Sequence, residues 1–165
     1  MTPQYGEGFA GAGPDAAHVN TVLGLREGPV GTAWATALAT PSAGHAPFVV
    51  VHSPGLPVVP FTLFVNKAAV AGDVHGRLTW GAAQAGVAAG VVDALEEGLF
   101  DRWGLLDAIA LIAAVWVDPA AAQEELVYAN NRNATLAALT MGVAGRPEVA
   151  DLLAAGEPSN PFFRR

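Results

Sequence analysis

The chain contains no cysteine, and only one lysine among its 165 residues. With no thiol, disulfide staples, zinc–thiolate sites and cysteine nucleophiles are all excluded. Charge is sparse as well: charged types make up 14% of the residues, the net charge is −7, and Lys and Arg form no cluster. A nucleic-acid backbone or an anionic membrane is held by a basic footprint, so neither is an expected partner. Long hydrophobic runs are also missing. The longest, residues 108–117, is closed by Asp107 and Asp118, far short of the roughly 20 residues a membrane span needs. Residues 1–7 lack a basic segment leading into an apolar one, so no signal peptide is expected. These absences point to a soluble cytoplasmic protein.

What is present is apolar material: hydrophobic types account for 52% of the chain. That suffices for the core of one folded domain, and 165 residues leave little room for two. No internal repeat or linker interrupts it, so residues 1–165 read as a single domain. Seven of the eight basic residues are arginine, which singles out Lys67. A lone lysine in an arginine-using chain suggests that an amine is wanted there, or that one lysine has survived by chance.

Periodicity gives the elements. Residues 5–10 and 18–23 read as strands, with His18, Asn20 and Val22 on one face of the second. Pro29 starts a helix whose Val30, Ala33, Trp34, Ala37 and Leu38 form one apolar stripe, read as core, and Pro41 closes it. Residues 48–52 and 62–70 read as strands, and Leu63, Val65 and Lys67 share a face of the latter. A helix is expected over 81–98, with Gly86 and Gly90 allowing close packing, and a central strand over 108–117, apolar on both faces. Asp118-Pro119 opens a long helix to about Gly142, with Val127, Asn130, Ala134, Ala138 and Met141 inward. A weak helix over 147–155 leads into the tail. The order implies an α/β sheet, not fully parallel because two connections carry no helix.

Several motif matches fail on context. Gly6–Gly11, "GEGFAG", fits a dinucleotide-binding pattern but lacks the strand before it, the helix after it and a suitably placed acid. His18, His45, His52 and His75 show no metal-ligand spacing, so no metal is expected. Ser42, Ser53 and Ser159 sit in no strand–turn–helix elbow.

The runs "GPDAAHVNTVLG", "GPVGTAWATAL", "PGLPVVPFTLFVNKAAV" and "GAAQAGVAAGVVDALEEG" resemble the formaldehyde-activating enzymes. So do the strand "ALIAAVWV" with its following Asp-Pro and the "NAT" at Asn133 to Thr135. The resemblance covers residues 5–145 in one order, leaving 146–165 as a C-terminal extension. It implies an α/β (α+β) fold with helices packed on a sheet, like the second domain of ribosomal protein S5, assembled as a homopentamer. It also implies an enzyme, a carbon–nitrogen lyase of the tetrahydromethanopterin hydro-lyase type. Formaldehyde condenses with tetrahydromethanopterin, the co-substrate, to give the methylene derivative and water, in one-carbon metabolism and formaldehyde detoxification. The family's active-site histidine falls on His18, its Asn-Lys pair on Asn66 and Lys67, and its Gly-Pro-Ala-Gln segment on residues 81–84, ending at Gln84. Asn20 stands where the family has an acidic residue, Val59 where it has a lysine, and Asp118 where it has a histidine.

The implied chemistry suits these residue types. A ring amine attacks formaldehyde, the carbinolamine loses hydroxide to give an iminium, and a second amine closes the ring. Departure of hydroxide at neutral pH calls for an acid titrating near 7, the role expected of His18. Asn20, Asn66, Lys67 and Gln84 would line the site. Lys67 could pair with an anionic part of the pterin, the reading the sequence favours because the pterin already supplies the nucleophile, or hold formaldehyde as a Schiff base. The alternative to an enzyme is a catalytically weakened relative that binds a pterin or another amine-bearing carrier, or that senses formaldehyde. Asn20 and Val59 keep that reading open.

Overall fold

A computed structural model describes residues 1–160. Five strands, β1 (Gln4–Ala10), β2 (Ala17–Leu25), β3 (Phe48–Val49), β6 (Phe61–Asn66) and β7 (Ile109–Trp116), form one sheet in the order β1-β2-β7-β6-β3. The pairing is antiparallel except between β6 and β7. A two-stranded sheet, β4 (Val51–Ser53) with β5 (Leu56–Pro57), lies apart from it. The mixed α/β sheet expected from the sequence is the sheet found.

Alternation along the strands sorts the side chains between two faces. Ala17, Val19 and Leu23 of β2, Leu111, Ala113 and Val115 of β7 and Phe64 of β6 are buried on the same face. They share one core with Val87 and Val91 of α3 (Gln84–Glu96) and Val127 and Ala134 of α4 (Glu124–Ala144). Helix α4 lies directly on β1 because Gly6 and Gly8 present no side chain to it. A Cβ at these positions would stand 1.8 Å from the Ala138 carbonyl oxygen and 2.0 Å from that of Ala134. The "GEGFAG" pattern therefore serves packing. Gly86 and Gly90 do the same for α3 on α4, where added Cβ atoms would meet the backbone oxygens of Tyr128 and Arg132.

The opposite face carries Tyr5, Glu7 and Phe9 of β1, His18, Asn20 and Val22 of β2, and Ile112, Ala114 and Trp116 of β7. Helix α1 (Pro29–Ala39) packs on β2 and β7, with Val30 against Gly24. Gly24 lies at the end of β2 away from His18, so the half of this face around His18 stays open. In α1 only Val30 is buried, while Ala33 and Leu38 of its apolar stripe are exposed. That stripe is not the covered core face expected of it.

Other departures from the sequence reading have local causes. The expected strand over 48–52 is broken into β3 and β4. The strand expected over 62–70 stops at Asn66, whose Nδ2 donates to the Gly44 and Ala68 carbonyls at 2.9 and 2.8 Å. The helix expected from Gly81 begins at Gly72 as α2 (Gly72–Arg77), and runs through a π-helical stretch, Leu78–Ala83, into α3. Asp118-Pro119 does not open α4: Asp118 Oδ1 accepts from the Ala120 N–H at 2.8 Å, making a turn, and the helix starts at Glu124. On α4 the buried amide is Asn131, not Asn130. A short last helix, α5 (Val149–Ala154), follows. Part of the expected C-terminal extension, residues 161–165, lies outside the described residues.

Candidate functional site

At the open end of the sheet a cleft of about 920 Å³ is lined by Glu7 and Phe9 of β1, His18 of β2, Trp116 of β7, Lys67 and Asp118. The turn at Gly13 and Pro14, and Ser159 and Asn160 of the C-terminal segment, complete its walls. A space of this size takes a small organic ligand.

His18 is the histidine that faces this cleft. The others have different duties. His75 is buried: its Nδ1 accepts from the Ala71 N–H at 2.9 Å, so Nε2 carries the hydrogen and donates to the Val117 carbonyl at 3.0 Å. His45 holds the Asn66 carbonyl through Nδ1 at 2.8 Å, and His52 faces a separate groove beside α3 and α4. His18 Nε2 lies 2.9 Å from Glu7 Oε1, and both side chains remain partly open to solvent. Phe9, opposite His18 in the β1–β2 register, sets its ring 6.3 Å from the imidazole.

The turn before β2 is anchored at a distance. Asp15 Oδ1 accepts from the Ala122 and Gln123 N–H groups at 2.8 and 3.0 Å, and Oδ2 accepts from Gln123 Nε2 at 3.2 Å. These bonds hold the Asp15 carboxyl below its ordinary pKa, outweighing the opposing effect of burial. Asn130 Nδ2 donates to the Asp15 carbonyl at 2.9 Å. The start of α4 and the segment leading to His18 are thereby fixed to each other.

Lys67 follows β6 directly, and its N–H donates to the Val115 carbonyl at 2.8 Å. Its side chain is half-buried, and Nζ donates to Asn20 Oδ1, reaching from beyond β6 across β7 to β2. Burial pulls the ammonium below the ordinary lysine pKa, and the Glu7 carboxylate works in the opposite direction. The acceptor is a neutral amide, which bonds the amine without fixing its charge.

Of the residues expected at the site, the fold brings together His18, Asn20 and Lys67. Asn66 is adjacent to Lys67, so alternation sends its side chain to the helix-covered face, where it is buried on backbone carbonyls. Gln84 lies apart, its Oε1 accepting from the Val51 N–H at 2.6 Å. Val59 does not line the cleft, whereas Asp118 does. Sequence reasoning missed Glu7, Phe9 and Trp116. Pairing the two N-terminal strands as an antiparallel hairpin would have found Glu7, since it shares the His18 face. Among the described residues no three His, Asp or Glu side chains converge as metal ligands. No helix among them is long and apolar enough to cross a membrane.

Fold and cleft together define a small α/β protein with a carboxylate-paired histidine and a half-buried amine at the wall of a cleft of ligand size. The chain belongs to the formaldehyde-activating enzyme family, whose model, described as "Formaldehyde-activating enzyme (Fae)", matches residues 5–163. The match therefore runs past residue 145, where the resemblance in the sequence was placed to end. It is 36% identical over 163 residues to the 5,6,7,8-tetrahydromethanopterin hydro-lyase of Methanosarcina barkeri, covering 99% of this chain and 91% of that protein. It is 40% identical over 148 residues to the bifunctional enzyme Fae/Hps of Methanococcoides burtonii, covering 90% of this chain and 37% of that protein. A protein of the same name from Methanosphaera stadtmanae is 36% identical over 151 residues, again with 37% of its length covered. The chain thus spans a little over a third of these two bifunctional relatives.

Proposed function

We propose that this protein is an enzyme that condenses formaldehyde with tetrahydromethanopterin to methylene-tetrahydromethanopterin and water, with His18 as its general acid and base. The observation that carries the reading is the His18–Glu7 pair, 2.9 Å apart, at the wall of a cleft of ligand size in a member of this family.

The chemistry asks for one proton to be placed repeatedly at one point. A secondary amine of the pterin adds to formaldehyde; the resulting carbinolamine loses its oxygen as water when an acid protonates it. His18 Nε2–H donates to the Glu7 carboxylate, which leaves Nδ1 as the ring nitrogen that exchanges a proton with the substrate. Proton transfer of this kind contributes typically 10²–10⁴-fold, and holding aldehyde and amine together in the cleft supplies the remainder. Phe9 and Trp116 offer apolar surface to the flat pterin ring. Lys67 lines the cleft and is held by Asn20, and Asn66 supports the turn that carries Lys67, while Gln84 lies apart. The same reading includes a homopentamer in the cytoplasm. Exposed apolar side chains such as Tyr5 at 67% and Leu153 at 82% are what subunit contacts would cover.

The test is the rate of methylene-tetrahydromethanopterin formation with wild-type protein, with His18→Ala and with none. Acceleration by the wild type that His18→Ala loses is expected. A wild-type rate equal to the uncatalysed one overturns the reading and leaves a pterin-binding or formaldehyde-sensing relative in its place.

A further inference from the structure

We propose that Lys67 is a second catalytic residue, capturing formaldehyde on Nζ as an iminium and handing its methylene to the carrier amine. The proposal deepens the reading above and rests on it for the identity of the acceptor.

Three features of the chain lead to this assignment. Lys67 lines the cleft that His18 lines, so an aldehyde held there meets an amine and an acid together. Its side chain is half-buried and spent on Asn20 Oδ1, a neutral acceptor. A carboxylate in that place would hold the ammonium, which is not a nucleophile; an amide holds the ammonium less strongly and still accepts a hydrogen bond from the free amine. And the chain, which uses arginine for every other basic residue, has its single amine side chain here. A guanidinium at this position could bind an anion but could not form a carbon–nitrogen bond with an aldehyde under these conditions. The titratable groups that line the cleft with Lys67 are Glu7 from β1, His18 from β2 and Asp118 from the turn after β7, and of these Glu7 acts on the ammonium. Burial lowers the lysine's pKa and Glu7 opposes that, which favours the free amine at neutral pH over that of an exposed lysine.

The steps balance without an added reagent. Nζ adds to the formaldehyde carbon, the carbonyl π bond breaks, and a proton moves from nitrogen to oxygen, giving a carbinolamine. His18 protonates that oxygen, the C–O bond breaks, water leaves and the nitrogen lone pair forms the iminium. The carrier's secondary amine adds to the methylene carbon and passes its proton, through His18, to Nζ. The C–Nζ bond then breaks with its electron pair going to Nζ, leaving the methylene as an iminium on the carrier. The carrier's second amine closes the ring and releases a proton. The sum is formaldehyde plus diamine giving methylene-bridged diamine plus water.

One lysine makes the test unusually clean. Full-length protein is exposed to formaldehyde with cyanoborohydride at pH 7, without pterin, and methylation of Lys67 and of the N-terminal α-amine is followed by peptide mass spectrometry. An ordinary lysine trails the α-amine by about a hundredfold or more in free-amine fraction, because their usual pKa values differ by more than two units. Lys67 is expected to close a clear part of that gap, trailing the α-amine by well under a hundredfold. His18→Ala is expected to slow labelling of Lys67 by about tenfold or more while leaving the α-amine unchanged. Asn20→Asp is expected to slow it too, by giving the ammonium a charged partner. Lys67 lagging by the ordinary margin, or labelling at one rate with and without His18, overturns the proposal. Because no carrier is present, these outcomes do not depend on whether tetrahydromethanopterin is the acceptor. In the condensation assay, Lys67→Arg keeps a cation at Asn20 and is expected to lose most of the acceleration; full activity in that variant also overturns it.

Discussion

Glu7 Oε1 on β1 meets His18 Nε2 on β2 at 2.9 Å along the diagonal of an antiparallel pair in which Glu7 faces Asn20 and Phe9 faces His18. Diagonal neighbours on one sheet face lie within reach of long side chains. The carboxylate therefore fixes which ring nitrogen is engaged and which way the imidazole points.

If Glu7 acts only through His18, its loss matters only while the histidine is present. Glu7→Ala is expected to lower kcat by about tenfold, and His18→Ala by 10²–10⁴-fold, the usual worth of a positioned proton donor. In the His18→Ala background, Glu7→Ala should cost nothing further. A double-mutant cycle on condensation rates measures this coupling directly. Losses that multiply would give Glu7 an independent role.

Asp15 links the other end of the His18 segment to α4, and its contribution depends on acidity. The carboxyl sits below its ordinary 3.8 when folded, so as pH falls the unfolded chain takes up the proton first. The stabilisation is fully present above 3.8 and is lost as pH drops through the lower folded value. Asp15→Ala is expected to cost about 1–3 kcal/mol at pH 7, since it strips two backbone N–H groups of their acceptor. Asp15→Asn should flatten the acid fall in stability below about pH 4, where Asp15 stops contributing. Urea denaturation at a series of pH values gives both numbers. A variant with the same acid limb as wild type would remove Asp15 from this role.

Asp15 also marks where sequence reading stops. The alternation in β2 is local, so His18 and Asn20 could be put on one face from the chain alone, and Leu63, Val65 and Lys67 likewise. The start of α4 is not local: the N–H groups of the two residues just before it are held by a carboxylate more than a hundred residues earlier in the chain, whereas the chain near the helix offers Asp118 as the opening residue. The same limit hid Glu7. Its partner lies on another strand, and the glycines around it fit a phosphate-loop pattern that context rejects, while their packing against α4 shows only in the fold. Asn66 and Gln84 were legible as polar residues within family segments, but not as side chains already committed to backbone groups.

Those glycines can be tested against one that has no such duty. Gly6→Ala and Gly8→Ala each push a methyl into an α4 carbonyl oxygen, with separations of 1.8 and 2.0 Å before relaxation. Backbone on both sides of the contact has little freedom to yield, so a loss of about 3 kcal/mol or more is expected, at the high end for overpacking. Gly81 has nothing within 4 Å of its would-be Cβ and lies exposed in the π-helical stretch. Gly81→Ala is expected to stabilise by about 0.5–1 kcal/mol through helix propensity. Thermal melts of the three variants separate the cases. Equal behaviour of Gly8→Ala and Gly81→Ala would mean that α4 can slide on β1.

The reach of Lys67 to Asn20 depends on what lies beneath it. In the sheet register Ala114 of β7 stands between Asn20 of β2 and Val65 of β6, a methyl-sized side chain next to the Asn20 that the lysine reaches across β7. Ala114→Leu puts a branched chain on that path. Its side chain enters the partly open face of the sheet and not the packed core, so folding should be little affected and the thermal midpoint nearly unchanged. The amine, however, is displaced from Asn20 and from the aldehyde. A misplacement of about 1 Å at a reacting group costs up to about 10²-fold in rate. Condensation by Ala114→Leu is therefore expected to fall by at least tenfold, alongside slower reductive methylation of Lys67. Ala114→Ser, which keeps the volume small, should retain both. Unimpaired turnover in the leucine variant would show that Lys67 does its work without leaning on Asn20.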